Sequence, residues 1–224
     1  MTSATFRPKY ISFDCYGTLT RFHMGEMAES LCGDRIPAER MPRFVADFSA
    51  YRLDEILGVW KPYAEVIGNA LRRTCALHGV PYREADGAAI YEAVPTWGPH
   101  PDVPAGLSRV AGKIPLVILS NAMTDQIPSN VEKLGAPFHR VYTAQQAQAY
   151  KPRFQAFEYM FDQLGARPEE MMHVSSSFRY DQMSAFDLHF GARVWVGRGH
   201  EPRNPHYFTH EIADIGGLAA CCGL

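Results

Sequence analysis

Tyr10-Ile11-Ser12-Phe13-Asp14-Cys15-Tyr16-Gly17-Thr18-Leu19 is a short apolar run that ends on an acid and then turns through a glycine. Four other runs share its form. Pro115 to Leu119 leads into Ser120, Val141 to Thr143 follows a helix-like stretch, Met171 to Val174 leads into Ser175, and Arg193 to Val196 leads into Gly197. Short apolar runs without strict alternation fit strands buried on both faces of a parallel sheet. Helical patterns lie between them. Val103 to Val110 is one, and Asp125 to Leu134 is another, with Thr124 placed as its N-cap. Phe154 to Leu164 stops at Gly165, and Asp181 to Phe190 stops at Gly191, both glycines standing where a left-handed C′ residue is expected. Strand and helix in alternation predict an α/β fold with a parallel sheet.

Residues from about Phe22 to about Trp97 break this rhythm with helical periodicity and no convincing strand. Phe44, Phe48, Tyr51, Ile56 and Trp60 recur near helical spacing, as do Val66, Ile67, Ala70, Leu71 and Leu77, which predicts a small helical bundle. Inserted directly after the first strand, it is expected over the C-terminal edge of the sheet, where ligands bind in open α/β folds.

Composition narrows the function class. A chain of 224 residues suits one core with a modest insertion. At 46% hydrophobic and 21% charged residues it can build a packed core, which argues against disorder. The net charge of −2, without a basic run, disfavours a nucleic-acid partner. No apolar run approaches the roughly 18 residues a membrane span needs, and Met1 to Lys9 lacks the apolar stretch of a signal peptide. Cys15, Cys32, Cys75, Cys221 and Cys222 are odd in number and form no CxxC pair, so reduced thiols in a cytoplasmic protein are expected.

Four polar signals follow predicted strands: Asp14; Ser120 and Asn121; Lys151 in Tyr150-Lys151-Pro152; and Ser175, Ser176, Ser177 with Asp181. Strand C-termini of a parallel sheet converge on one crevice, so all four can meet. In this order they resemble the four motifs of the haloacid dehalogenase superfamily, and the resemblance covers nearly the whole chain. It implies a Rossmann-like catalytic core over residues 1–21 and 98–224 with a helical cap over 22–97.

Two departures narrow the resemblance. Phosphatases of the superfamily carry a second aspartate two residues after the first, as general acid and base; here Tyr16 stands there. Without that acid nothing protonates a leaving alkoxide, whereas a halide leaves unprotonated. Ser176 stands where those enzymes place a Mg²⁺-binding carboxylate, and a hydroxyl is a poor Mg²⁺ ligand. Both changes resemble the 2-haloacid dehalogenases (type II). They imply a short 2-halocarboxylate and water as reactants, a halide ion as product, no cofactor and no metal. Dimers are common in that family, so a homodimer is a further expectation.

The implied chemistry is attack by Asp14 on the halogen-bearing carbon, followed by hydrolysis of the resulting ester with inversion at a chiral centre. Lys151 is expected to keep Asp14 ionised, Asp181 to orient Lys151 or water, and Thr18 and Ser176 to hydrogen-bond the Asp14 carboxylate. Asn121 is expected to offer an amide to the halide, Tyr180 an aromatic wall with Tyr16 beside it, and Ser120 to bind the substrate carboxylate. Ser175 and Ser177 join the binding set, Ser177 where an asparagine usually helps to place water. Among Arg35, Arg40, Arg43 and Arg52, the arginine that meets substrate is sought in Arg43 or Arg52. The family often has a tyrosine six residues after the lysine, where this chain has Phe157, and in the fourth motif either one residue is inserted before Asp181 or the serine register shifts by one. A phosphatase-like hydrolase of the same fold and a non-catalytic binding protein remain the alternative readings.

Overall fold

The computed structural model describes residues 6–224; residues 1–5, and the reading that no apolar leader lies there, fall outside the described residues. The chain divides into two compact units, one running to Arg21 and resuming at Gly98, the other spanning Phe22–Trp97.

In chain order the elements are β1 (Tyr10–Phe13), α1 (Met24–Cys32), α2 (Met41–Leu57), α3 (Tyr63–His78), α4 (Glu84–Ala93), α5 (Val103–Ser108), β2 (Leu116–Ser120), α6 (Ile127–Glu132), β3 (Arg140–Thr143), α7 (Ala144–Ala147), α8 (Phe154–Leu164), β4 (Met171–Ser175), α9 (Met183–Asp187), β5 (Ala192–Val196), β6 (His210–Ile212) and α10 (Leu218–Cys221). The strands form one sheet in the order β3-β2-β1-β4-β5-β6, with every neighbouring pair parallel. Chain order reverses at β1: β2 and β3 lie to one side of it, and β4 to β6 to the other. Connections therefore leave β1 in opposite directions and open a crevice at its carboxyl end, where Asp14 stands.

Side chains alternate between two apolar layers, because successive strand residues face opposite ways. Ile11, Phe13, Leu116, Ile118, Met172, Val174 and Val194 pack one layer with Val103 and Leu107 of α5. Val117, Leu119, Tyr142 and Met171 pack the other with Phe157 and Met160 of α8 and with Phe190. Burying β2 and β4 on both faces explains why they read as continuous apolar runs.

Three local expectations change. The helix expected from Asp125 begins at Ile127, and Thr124 does not cap it; its N–H and hydroxyl both donate to Gln145 Oε1, at 2.9 and 2.8 Å. The helix expected over 181–190 is a π-helical turn, Phe178–Gln182, followed by α9. Its left-handed exit is His189 (φ 60°) and not Gly191. Gly191 is required for space, since a Cβ there would lie 2.2 Å from Glu169 O and 2.4 Å from Phe6 Cζ. The edge strand β6, three residues long and only partly buried, carries too short an apolar signal to be read from sequence. Gly165 does close α8, with φ 57°.

In the helical unit, Phe44, Phe48 and Ile56 of α2, Val66, Ile67, Ala70 and Leu71 of α3, and Ile90 of α4 are buried. Tyr51 and Trp60 are half-buried, and Leu77 is exposed. Among the described residues no helix is long and apolar enough to cross a membrane.

Candidate active site

Asp14 leaves β1 with its N–H bonded to Val174 O at 3.1 Å, so the sheet ladder sets its position. The chain then turns tightly: Leu19 N–H donates to Cys15 O at 2.8 Å, and Gly17 N–H to Thr20 O at 2.7 Å. Gly17 has φ 93°, which a side chain would strain. The turn brings Thr18 back over the acid. Ser176 N–H donates to Thr18 Oγ1 at 2.9 Å, which leaves the threonine hydrogen for Asp14 Oδ2 at 2.7 Å. The Thr18 carbonyl is clamped in turn by Arg198, whose Nε and Nη2 donate to it at 3.2 and 3.1 Å. Asp102 holds that guanidinium by two bonds of 2.8 Å and takes Ile215 N–H at 2.8 Å.

Lys151 is almost fully buried, and its ammonium donates to Asp14 Oδ1 at 2.9 Å and Asp181 Oδ1 at 2.7 Å. Asn121 fixes its main chain: Asn121 Nδ2 donates to Lys151 O at 2.9 Å, and Lys151 N–H donates to Asn121 Oδ1 at 2.7 Å. Asp181 collects two further donors besides Lys151. His173 Nε2 reaches Oδ1 at 2.9 Å, and Ser175 Oγ donates to Oδ2 at 2.9 Å.

The two carboxylates are thereby made unlike. Burial pushes the Asp14 carboxyl above its usual range; Lys151 pulls it down, and the charge of Asp181 adds to the rise. Burial also acts on Asp181, but Lys151 and His173 outweigh it and hold that carboxyl below the usual range. Burial alone would lower the Lys151 ammonium, yet the two carboxylates raise it. The same ammonium thus faces one carboxyl shifted upward and one shifted downward. Burial pushes the Cys15 thiol up to about 12, so it is an inert neighbour.

Several expected contacts are replaced by others. Ser176 does not reach the Asp14 carboxylate; its hydroxyl lies 3.2 Å from Thr18 Oγ1, so it acts one bond away. Asn121 spends its amide oxygen and one of its two N–H donors on the Lys151 main chain. Ser175 holds Asp181 and accepts Ser177 N–H at 3.1 Å. Ser177 caps the π-helical turn by accepting Tyr180 N–H at 3.2 Å and donates to Glu201 Oε1 at 2.7 Å, so its hydroxyl is engaged away from water placement. Tyr180 is half-buried in that turn, and the Tyr16 hydroxyl donates to Asn130 Oδ1 at 2.8 Å. Ser120 Oγ is buried and has no hydrogen-bond partner among the described residues, a polar group left open at the end of β2.

In the helical unit, Arg43 is exposed and bonded to Asp47 at 2.9 and 2.8 Å. Arg35 pairs with Asp86, and Arg40 donates to His78 O at 2.8 Å. Arg52 differs. It is buried over the rings of Phe22 (5.2 Å) and Phe48 (5.0 Å), touches the Tyr63 hydroxyl at 3.5 Å, and its Nε has no partner among the described residues.

Sequence reasoning missed His173, Arg198, Asp102, Asn130 and Glu201. Only His173 carried a local signal, as a polar residue in the middle of a run otherwise buried and apolar.

Comparison with known proteins places the chain in a family. The model of the haloacid dehalogenase-like hydrolases matches residues 8–185. The chain is 27% identical over 225 aligned positions to (S)-2-haloacid dehalogenase H-109 of Pseudomonas putida, covering 93% of this chain and 95% of that one. Among solved structures, the L-2-haloacid dehalogenase of Xanthobacter autotrophicus with chloropropionic acid covalently bound superposes with TM-score 0.76 at 21% identity, over 95% and 97% of the two chains. The HAD-hydrolase YfnB of Bacillus subtilis bound to magnesium superposes with TM-score 0.81 at 14% identity, over 97% and 100%, a likeness of fold. The matching family model spans well over half of the chain, and the chain belongs to the haloacid dehalogenase-like hydrolases.

Proposed function

We propose that this protein hydrolyses the carbon–halogen bond of short 2-haloalkanoic acids. An oxygen of Asp14 attacks the halogen-bearing carbon in line, and the bonding pair leaves with the halide. A chiral centre inverts, and an ester on Asp14 results. Water then attacks the carboxyl carbon of that ester, loses a proton, and releases the 2-hydroxy acid while Asp14 regains its charge. The observation that carries the reading is the Asp14–Lys151–Asp181 bridge. It pairs a buried, upward-shifted nucleophile with an ammonium, while Tyr16, bonded to Asn130, stands two residues on in place of a second acid.

Ser120 is assigned to the substrate carboxylate, because its buried hydroxyl lacks a partner that an anion would supply. Arg52 is preferred to Arg43 for the substrate or leaving halide, because its charge is buried without a carboxylate while Arg43 already has one. A metal-independent reaction is part of the proposal.

The test is halide release from chloroacetate, fluoroacetate and both enantiomers of 2-chloropropionate with EDTA present. Halide release that EDTA does not alter, inverted product, and no turnover by Asp14→Asn are the expected results. A single turnover in ¹⁸O-water should place label in Asp14. Magnesium-dependent hydrolysis of p-nitrophenyl phosphate without halide release would establish the phosphatase alternative instead.

A further inference from the structure

His173, at the centre of β4, belongs to no motif and has no part in the chemistry above. It is fully buried, with its ring edge-on to Phe157 (5.7 Å between centroids) and tilted against Phe190 (5.4 Å). An imidazole in such a layer needs both nitrogens satisfied. Nδ1 lies 2.9 Å from Ser12 Oγ, its in-register neighbour on β1, and Nε2 lies 2.9 Å from Asp181 Oδ1. An ionised carboxylate only accepts, so Nε2 must carry a proton. Ser12 can donate to Nδ1, or turn its hydrogen to Met172 O at 3.3 Å.

The oxygen that His173 holds is the one that receives Lys151. Every additional donor on Asp181 Oδ1 weakens its pull on the ammonium and leaves more of that charge for Asp14. The charged groups facing this ring are Asp181, with Lys151 and Asp14 beyond it, and Arg193, in register on β5, whose guanidinium donates to Tyr207 O and Phe190 O. We propose that His173 is a positioning residue for the nucleophile, acting on Asp14 through Asp181 and Lys151. This rests on the reading of Asp14 as the nucleophile. His173 touches no reacting atom.

The test compares His173→Leu, which removes the donor, with His173→Gln, which keeps an N–H of similar reach. In His173→Leu the acid limb of kcat/KM for halide release should move up by about one pH unit, the worth of one charge-assisted hydrogen bond. Turnover near neutrality should fall about tenfold, and His173→Gln should recover most of both. Loss of stability with an unmoved pH profile would mean that the ring only fills space and would overturn the proposal. Two measurements do not depend on turnover. Carboxyl ¹³C titration should show Asp181 shifted upward in His173→Leu, and no shift overturns the inference. In the unsubstituted protein, imidazole ¹⁵N spectra should show Nε2 protonated, and a bare Nε2 beside ionised Asp181 overturns it. If the unsubstituted protein releases no halide, the proposed reaction fails, while these spectra still decide the role of His173.

Discussion

Asp14 and Asp181 share a single ammonium, Lys151 Nζ, which stands 2.9 Å from one carboxylate and 2.7 Å from the other inside the protein. The three groups carry two negative charges and one positive, so the cluster depends on each of its members.

Lys151→Met should therefore be costly in two ways. It leaves two buried carboxylates without their cation, which destabilises by about 3–5 kcal/mol. Halide release should disappear as well. Lys151→Arg should not rescue it, because a planar guanidinium cannot take the place of a compact ammonium in a filled site. Urea unfolding and a halide assay check both statements.

Activity and stability should part company in acid. Asp14 is raised above its ordinary 3.8, so its folded form binds the proton more readily than the unfolded chain does. Its protonation abolishes attack while relieving a folding cost. Asp181 is lowered from 3.8, so its contribution is present above that value and is lost only as pH falls through the depressed folded value. The acid limb of kcat/KM should lie above 3.8, and the loss of fold attributable to Asp181 below it. Lys151 is raised from 10.5, so its contribution is complete below that pH and fades as pH climbs through its folded value. A pH–rate profile beside urea melts across the same range measures this.

Ser120→Ala should raise KM for the haloacid about tenfold or more and leave the fold unharmed. A buried hydroxyl without a partner contributes little to stability, so its removal is neutral or slightly favourable. A fall in kcat at constant KM would assign Ser120 a different task.

Arg198→Met should slow turnover more than it weakens binding. The guanidinium clamps the carbonyl of Thr18, whose hydroxyl holds Asp14, and it also neutralises Asp102. About a tenfold loss in kcat corresponds to about 1.4 kcal/mol of transition-state stabilisation. Stability should fall by about 1–3 kcal/mol, because Asp102 is left without its cation.

In the helical unit, Arg52→Met should lower kcat/KM by at least about tenfold without loss of thermal stability, since it replaces a buried charge that has no carboxylate with an apolar chain of similar length. Arg43→Ala should leave activity and thermal stability unchanged, because its pair with Asp47 is exposed to solvent.

Much of the site was readable because motif residues sit at strand ends. Asp14 and Ser120 stand at the ends of β1 and β2, and a parallel sheet carries such ends to one edge; Lys151 follows β3 through α7, and Asp181 lies in the turn after β4. Roles were less readable than positions. Ser175 and Ser177 were expected to face the reactants, and instead hold Asp181 and Tyr180 or Glu201, while Asn121 also holds the main chain of Lys151. A side chain's partner depends on rotamer and neighbours, and sequence spacing encodes neither.

Local order along the chain determined the alternation of strands and helices, the helical interruption and the identity of the acid at the end of β1, because periodicity and turn residues act over a few positions. Only tertiary structure decided that His173 backs Asp181, that Arg198 with Asp102 locks the Thr18 turn, and that Ser120 is left with an open hydrogen bond. Those pairings join residues up to 180 positions apart. They exist because folding brings polar groups into low dielectric, where each must find a partner or keep room for one.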